Sequence, residues 1–308
     1  MNRLKSILAV LAIAMTVVMS ANALTRLDVG TYNLRNKNDG DAQKGNGWDV
    51  RKTVVAQLLQ YHEFDIFGTQ ECFYQQLQDL KELLPGYEYV GIGRDDGKQG
   101  GEHSAIFYRT DKFEAVESGN FWLSETPDKP GLGWDAACVR ICTWAHFRCR
   151  ETGFEFLFFN LHMDHVGVKA RVESAKLVQQ KMREFGSELP AILTGDFNID
   201  QNHPSFKEII ASGDLKDSYE AAEMKYALNG TFNGFRANNF TTSRIDHVLV
   251  SPSFVVKKYG ILTDTYRSEL KDAVDTTEGA APKEIKFRRY DARTPSDHFP
   301  VKVVLYHE

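Results

Sequence analysis

The sequence contains only four cysteines among 308 residues, at positions 72, 138, 142 and 149. Their spacing does not follow a zinc-binding pattern. Cys138 and Cys142 are four residues apart in a predicted strand, roughly 13 Å along its axis, which is too far for a disulfide bond. We therefore expect four free, buried thiols, although export would permit a disulfide.

Several catalytic motifs are also absent from the sequence. It has no H-E-x-x-H helix, no Walker spacing and no serine elbow. The segment GRDDGKQGGEHSAIF, residues 93–107, combines glycines with charges but lacks the strand–loop–helix setting of a nucleotide-binding loop. These absences argue against zinc peptidases, kinases, nucleotide switches and serine hydrolases.

Basic residues are in the minority, and no basic stripe interleaved with aromatic residues occurs. The chain has 37 Lys and Arg against 42 Asp and Glu, a formal net charge of −5. Tight nonspecific binding of nucleic acid requires many Lys and Arg to neutralise phosphates. The charge therefore argues against such binding, but it does not exclude a small phosphorylated substrate.

The N-terminus has the pattern of a secretory signal peptide over residues 1–23. Arg3 and Lys5 precede an apolar stretch, Ile7 to Met19, and small residues at Ala21–Ala23 form a cleavage site. An N-terminal membrane anchor is the alternative, but the apolar stretch is short for a membrane span. We expect a periplasmic or secreted protein that has no integral membrane segment after cleavage.

The remaining residues, 24–308, are numerous enough for one large domain, and no Pro/Gly/Ser linker divides them. We therefore expect a single domain, and a monomer. The segment 271–286 is polar and is predicted to be an exposed loop within that domain.

Alternating apolar and β-branched residues predict ten strands, with helical periodicity between them. The strands are expected at 26–34, 66–70, 87–92, 104–109, 113–118, 139–148, 154–160, 191–194, 245–250 and 299–306, and the helices within 48–65, 73–86, 168–186 and 202–214. In the first helix, Val50, Val54, Leu58 and Tyr61 are predicted to share a face. This order of elements favours two packed sheets with helices on their outer faces.

Polar residues lie at or next to the ends of the predicted strands. They are Asn33, Glu71, Asn160, His162, Asp196, Asn198, Asp246, His247, Asp297 and His298. Each one alone has an ordinary explanation as a turn or edge residue. As a set they are more informative, because strand ends on a rigid scaffold direct side chains into a common crevice.

The residue types in this set suit a hard cation. Carboxylate and amide oxygens bind magnesium, manganese or calcium, and the two candidate site histidines, His162 and His298, are too few for a three-histidine zinc centre. A hard cation with an activated water is typical of phosphate-ester hydrolysis. His298 paired with Asp246 would be a suitable base if the fold brings them together.

Six motifs occur in order along the chain: TYNLR, TQE, NLHMDH, TGDFN, RIDHVLVS and SDHFPV. They span Asn33 to His298, and the series resembles the signature motifs of the endonuclease/exonuclease/phosphatase superfamily. That superfamily includes deoxyribonucleases, apurinic endonucleases and inositol polyphosphate phosphatases. The resemblance implies a four-layered α/β sandwich of two mixed sheets packed face to face. It also implies a phosphoesterase in which water attacks phosphorus directly.

The resemblance assigns ligands and a water-activating group. Glu71 matches the principal ligand of Mg²⁺ or Mn²⁺, supported by Asn33 and Asp297. Asp196 matches the residue that orients or activates the attacking water. Asn198 matches the amide that holds a phosphate oxygen.

The resemblance also assigns phosphate-binding and proton-transfer groups. Asp246 and His298 match a carboxylate–imidazole pair, whose histidine is a base in some members and a phosphate-binding group in others. His162 matches a second histidine that stabilises phosphoryl oxygens or the leaving group. Arg140 matches a phosphate-facing arginine. Asp164 either serves the site or supports the start of the following helix.

The substrate class stays open between a small molecule and nucleic acid, and between a monoester and a diester. Trp122, Trp134, Phe232 and Phe235 lie in loops expected to border the crevice, where they would stack on a ligand or, as we favour, close the loops onto the core. The alternative function is an exported binding protein of the same fold that recognises a glycan or phosphate without catalysis. Every matched polar position is filled, which argues against it.

Overall fold

The structure is a computed structural model and describes residues 24–186, 188–270, 274–276 and 279–307. The predicted signal peptide lies outside the described residues. Among the helices that are described, none is long and apolar enough to cross a membrane.

The described residues form seventeen strands and six helices. The strands are β1 (Thr25–Asn33), β2 (Ile66–Gln70), β3 (Tyr87–Val90), β4 (Ile106–Arg109), β5 (Phe113–Trp122), β6 (Ile141–Cys149), β7 (Glu155–His162), β8 (Ala191–Asp196), β9 (Lys216–Asp217), β10 (Met224–Tyr226), β11 (Asp246–Val250), β12 (Val255–Ile261), β13 (Tyr266–Glu269), β14 (Asp275–Thr276), β15 (Phe287–Arg288), β16 (Tyr290–Arg293) and β17 (Val301–His307). The helices are α1 (Asp39–Gln43), α2 (Trp48–Tyr61), α3 (Tyr74–Leu83), α4 (Val168–Gly186), α5 (Pro204–Ala211) and α6 (Ser218–Ala221).

Two large mixed sheets dominate the fold. The first has seven strands in the order β10-β12-β17-β1-β2-β4-β3, and the second has six in the order β5-β6-β7-β8-β11-β9. The pairs β1–β2, β10–β12 and β7–β8 are parallel, and the other pairs in these sheets are antiparallel. Both sheets are therefore mixed, as predicted.

Alternation along the strands builds a layered core. In β7, Phe156 and Phe158 join the cluster shared by both sheets, whereas Leu157 and Phe159 join the cluster that contains residues of α4 and α5. Successive side chains on a strand point to opposite faces, so each sheet is covered on both sides. A third cluster packs α2 and α3 against the first sheet. The predicted sandwich of two sheets flanked by helices is confirmed.

The face of α2 that carries Val50, Val54, Leu58 and Tyr61 is not the face that the fold buries. Val50 is 54% exposed and Tyr61 is 83% exposed. The buried residues of this helix are Trp48, Arg51, Val55, Ala56, Leu58 and Leu59. The spacing is helical, but the buried stripe is rotated, because a buried arginine occupies a position that hydrophobicity alone assigns to solvent.

Several element boundaries also differ from the prediction. β12 was not predicted, and its alternation is interrupted by a register shift between Val256 and Lys258. β6 begins at Ile141, so Arg140 precedes the strand. β5 extends to Trp122 and pairs along its length with β6. The segment 271–286, predicted as a loop, is described only in part and includes β14.

The four cysteines are free, as expected, but their burial is not uniform. Cys72, Cys142 and Cys149 are buried. Cys138 is partly exposed, because it precedes β6 in a loop and does not lie within the strand. The prediction of four buried thiols is therefore wrong at this position.

Candidate active site

The strand ends meet at one edge of the two sheets. Asn33 and Gln70 end the parallel strands β1 and β2 and lie opposite each other. His162 and Asp196 do the same at the ends of β7 and β8. Asp246, the first residue of antiparallel β11, lies opposite Asp196. Parallel strands that end together, with an antiparallel strand that begins there, place these side chains around one crevice.

Asn33 connects the two sheets at this crevice. Its Nδ2 donates to Glu71 Oε1 at 3.1 Å and to Asp196 Oδ2 at 3.0 Å. Its Oδ1 accepts from the backbone N–H of Arg35 at 3.0 Å. The side chain is fully buried, so this amide holds two carboxylates from different sheets within reach of one ligand.

His298 and Asp246 form a buried imidazole–carboxylate pair. His298 Nδ1 lies 2.9 Å from Asp246 Oδ2, and His298 Nε2 lies 3.8 Å from Asp196 Oδ2. Burial disfavours the imidazolium, but the charges of Asp246 and Asp196 outweigh it and raise the pKa of His298 well above its usual value. The pair therefore favours a cationic ring with Nε2 directed towards Asp196.

Asp196 lies between the two candidate histidines. Its Oδ1 accepts from the backbone N–H of Asn198 at 2.9 Å, and its Oδ2 is 3.6 Å from His162 Nε2. Burial, followed by the negative charge of Asp246, raises the pKa of Asp196 to about 7, against the opposing effect of His298. Perturbed carboxylates of this kind cluster at functional sites.

His162 is held as a neutral ring. Asn198 Nδ2 donates to His162 Nε2 at 3.1 Å and to the carbonyl of Met163 at 3.0 Å. Burial and the positive charge of Arg140 lower the pKa of His162 well below its usual value. Both amide hydrogens of Asn198 point to protein acceptors, so the phosphate contact expected of this residue requires one of them to be released.

Glu71, Asn33 and Asp297 offer a donor set for a cation. Glu71 Oε2 and Asp297 Oδ2 each lie 3.7 Å from the guanidinium of Arg35, at Nη1 and Nε respectively. Both carboxylates therefore lie beside the same guanidinium, and the Asn33 amide is bonded to Glu71. Carboxylate and amide oxygens are the donors that Mg²⁺ and Mn²⁺ prefer. The residues therefore fit a hard divalent cation. Asp196, Asp246 and His298 form a second, adjoining group whose ligand atoms lie within 4.8 Å of one another.

A buried arginine, Arg51, holds the backbone segments that carry this donor set. Arg51 is fully buried, and its guanidinium donates to the carbonyls of Leu34, Arg35, Asn46 and Pro295 at 2.7–3.2 Å. These carbonyls belong to the segments that follow Asn33 and precede Asp297. Arg51 thus holds two distant parts of the chain at the positions that the donor set requires.

Arg140 is buried and positioned by Asp164. Arg140 Nε donates to Asp164 Oδ2 at 3.3 Å, and its Nη2 donates to His165 Nδ1 at 3.0 Å. Asp164 also accepts four backbone N–H groups, from residues 137, 138, 166 and 167. Burial opposes its ionisation, but these bonds hold the pKa of Asp164 well below its usual range. Asp164 therefore orders the loop that presents Arg140.

A pocket of about 560 Å³ is lined by seven of the residues predicted from the sequence: Glu71, Arg140, His162, Asp196, Asn198, Asp297 and His298. Eight of its lining residues fall outside the residues singled out as ligands or catalytic groups: Arg35, Asn36, Arg94, Glu102, Cys138, His165, Phe232 and Ile245. Arg35 lies within the TYNLR motif, and Arg94 and Glu102 lie in the glycine-rich segment 93–107. Their charges can be read from the sequence, but their position beside the crevice cannot, because it depends on the geometry of the loops.

The loop aromatics divide between the two expected roles. Trp122 is buried and donates from Nε1 to the carbonyl of Arg94 at 2.7 Å. Phe235 packs on Arg51, whose guanidinium carbon is 5.2 Å from the ring centroid. Among the four, Phe232 is the one that lines the pocket, with its ring 5.1 Å from that of His298.

The family model described as "Endonuclease/Exonuclease/phosphatase family" matches residues 30–298. The chain belongs to this family. Members of this family are phosphoesterases and nucleases that generally depend on a divalent metal.

Two solved structures of the family are closely similar to this chain, and both are from Bacteroides thetaiotaomicron. A family protein is 62% identical with a TM-score of 0.86, and the match covers 92% of this chain and 99% of that one. A mannosyl-6-phosphatase is 63% identical with a TM-score of 0.84, covering 91% and 99%.

A more distant relative is an uncharacterised protein of Acanthamoeba polyphaga mimivirus, 29% identical over 161 residues. The match covers 50% of this chain and 60% of that protein. The chain thus spans little more than half the length of this curated relative, and 38% of a second mimivirus protein.

Proposed function

We propose that the protein is a divalent-cation-dependent phosphomonoesterase that removes the 6-phosphate from mannose or a mannosyl residue. The observation that carries the proposal is the buried His298–Asp246 pair, set beside Asp196 on a pocket of small-molecule size. The similarity to a mannosyl-6-phosphatase, at 63% identity over nearly the whole of that chain, supports the sugar.

The dimensions and charges of the pocket favour a small monoester. A volume of about 560 Å³ is in the range of small-molecule sites. Arg35 and Arg140 line it and supply positive charge for a doubly charged phosphate. The acidic chain, with a net charge of −5, is poorly suited to a long polyanion.

The chain's own residues would divide the chemistry between binding and proton transfer. His298, kept cationic by Asp246, would donate from Nε2 to a phosphate oxygen as negative charge develops there. Asp196, which lies between both imidazoles, would orient the attacking water and take its proton. Arg140, fixed by Asp164, would hold a second phosphate oxygen.

Asn33, Glu71 and Asp297 would hold Mg²⁺ or Mn²⁺. When bound, the ion supplies positive charge to the phosphate oxygens and the leaving oxygen. The guanidinium of Arg35 lies 3.7 Å from both Glu71 and Asp297 and would offset the repulsion between the two carboxylates.

We also propose that the chain is exported and that residues 24–308 act as one monomeric domain. The support is the charged start, the short apolar stretch and the small-residue cleavage site of residues 1–23. Mass spectrometry of the protein from its native cell should give an N-terminus at Leu24, and light scattering should give a monomer mass.

The activity is tested with mannose 6-phosphate, p-nitrophenyl phosphate, bis-p-nitrophenyl phosphate and DNA, with Mg²⁺, Mn²⁺ or EDTA. We expect phosphate release from the two monoesters, little turnover of the diesters, and loss of activity in EDTA. Faster turnover of a diester would contradict the monoesterase assignment. Binding of mannose 6-phosphate without turnover, with either metal present, would instead support the silent binding protein.

A further inference from the structure

The glycine-rich segment that begins at Gly93 forms a compact loop beside the pocket. Its backbone folds back on itself, because Arg94 N–H donates to the carbonyl of Glu102 at 3.0 Å and Gly93 N–H donates to that of Lys98 at 2.9 Å. A Cβ at Gly93 would lie 2.2 Å from the carbonyl oxygen of Gly100, so this close approach requires glycine. The fold of the loop makes Arg94 and Glu102 neighbours on the pocket wall.

Arg94 and Glu102 present a donor and an acceptor side by side. Arg94 Nη1 lies 2.5 Å from Glu102 Oε2, and the two side chains are 15% and 13% exposed. Because the pair is electrically neutral, it has little attraction for a second phosphate. A guanidinium beside a carboxylate does, however, match a sugar hydroxyl, which accepts and donates at the same time.

The pair is held rigidly and close to the candidate cation site. Asn36 Nδ2 donates to Glu102 Oε1 at 3.1 Å, and the backbone N–H of Asn36 donates to Glu71 Oε2 at 3.3 Å. The carbonyl of Arg94 accepts from Trp122 Nε1 at 2.7 Å. Asn36 therefore bridges Glu102 and Glu71. Because Arg94 and Glu102 line the same pocket as Asp196 and His298, a sugar whose phosphate lay at those two residues would face the pair.

We propose that Arg94 and Glu102 bind the hydroxyl groups of the sugar that carries the phosphate, which makes this loop the specificity element of the pocket. The inference rests on the proposed function. It assigns a role to the charged glycine-rich segment, which has no place in nucleotide binding.

The experiment compares kcat/KM for mannose 6-phosphate with kcat/KM for p-nitrophenyl phosphate, which has the same phosphate but no hydroxyls. We expect Glu102→Gln to lower the ratio of the two values tenfold or more. Arg94→Lys keeps the charge but removes the planar fork, and should lower the ratio in the same direction. Glu82→Gln, the same chemical change on the exposed side of α3, should leave the ratio unaltered.

Three results would overturn the inference. The first is a ratio of the two kcat/KM values that is unchanged in both variants. The second is an equal loss of kcat/KM on both substrates. The third is a higher Mg²⁺ requirement as the sole change in Glu102→Gln. The last two would indicate that Glu102 acts on the cation or the phosphate. If the wild-type protein cleaves p-nitrophenyl phosphate but not mannose 6-phosphate, the assignment of the sugar is wrong and the assignment as a phosphomonoesterase stands. Failure on both substrates would remove the proposed function itself.

Discussion

Two pockets of nearly equal volume lie at opposite ends of the same three strands. At one end of β8, β11 and β17 lies the catalytic pocket of about 560 Å³, and at the other lies a second pocket of about 580 Å³. The residues at the first end are Asp196, Asp246 and His298, and those at the second are Ala191, Ser251 and His307.

The two pockets differ in where their charges lie. The second is lined by apolar side chains such as Met182, Leu189 and Leu215, and its Arg183–Asp214 ion pair is about half exposed to water. In the other pocket most of the charged side chains are buried or nearly so, and they are paired with one another. Burying charges costs free energy unless they are paired. The volume of a pocket and the strands that border it therefore do not distinguish the two pockets. The pairing of buried charges does, and it is found in the pocket to which we assign the activity.

The largest effect is expected on kcat, from a substitution at the residue His298, which precedes the final strand β17. His298→Ala should lower kcat by roughly a thousandfold or more, because it removes the group to which we assign the contact with the phosphate. His307→Ala, at the other end of β17, is the matched control and should change kcat less than about twofold. Steady-state kinetics on p-nitrophenyl phosphate measures both. A comparable loss in the two variants would mean that the two ends do not differ in function.

The next effect concerns the stability of the catalytic end. Arg51→Met removes the donor of four buried carbonyl groups, so we expect the free energy of unfolding to fall by about 3 kcal/mol or more. Urea denaturation followed by circular dichroism measures it. A loss below about 1 kcal/mol would show that water replaces the guanidinium at little cost.

A smaller effect is expected at the second pocket. Met182 is 8% exposed and packs in the cluster between the second sheet and its helices. Met182→Ala should lower the free energy of unfolding by about 2 kcal/mol and leave kcat unaltered. The same denaturation and kinetic assays apply. A fall in kcat of tenfold or more would indicate that the second pocket is coupled to catalysis.

The smallest effect distinguishes two buried imidazoles at the catalytic end. His247 follows Asp246 but packs on Phe206, and its Nε2 lies 3.0 Å from the carbonyl of Ile199. Burial lowers the pKa of His247 to about 4, although that carbonyl opposes the change. It is therefore held neutral, whereas His298 is held cationic.

The sign of the resulting pH dependence follows from proton binding. Between about pH 6.5 and pH 4 the unfolded chain binds a proton at His247 that the folded chain does not, so stability falls as the pH falls. From pH 6.5 to 5.5 we expect a loss of about 1 kcal/mol. His247→Gln should lose that part of the pH dependence in urea titrations at the two pH values. An equal change in unfolding free energy between the two pH values in the variant and in the wild type would contradict this assignment to His247.

Much of the fold was predictable because its strands follow a period of two. The ends of β1, β2, β7 and β8 were predicted close to where they occur, and with them the strand-end polar residues. β12 was not predicted, because a bulge and two adjacent lysines break its alternation. The apolar spacing of α2 did not indicate which of its faces is buried, because Arg51 is buried by carbonyls from distant segments that no local pattern reveals.

The candidate site was predictable to a different degree for each residue. Glu71 and His298 stand within motifs whose residue types indicate their chemistry. Arg94 and Glu102 do not, because two charges eight residues apart become partners only when a glycine turn brings them together.

The amino-acid sequence by itself determined the family, the sandwich of two mixed sheets, and the residue types available for phosphate chemistry, because local periodicity and motif order encode them. The tertiary structure alone decided which polar groups meet, how Asp246 and Asp196 act on His298, and which of two equal pockets carries the charges. These outcomes depend on distances of 3–4 Å between residues far apart in the chain and on the burial that strengthens their interaction.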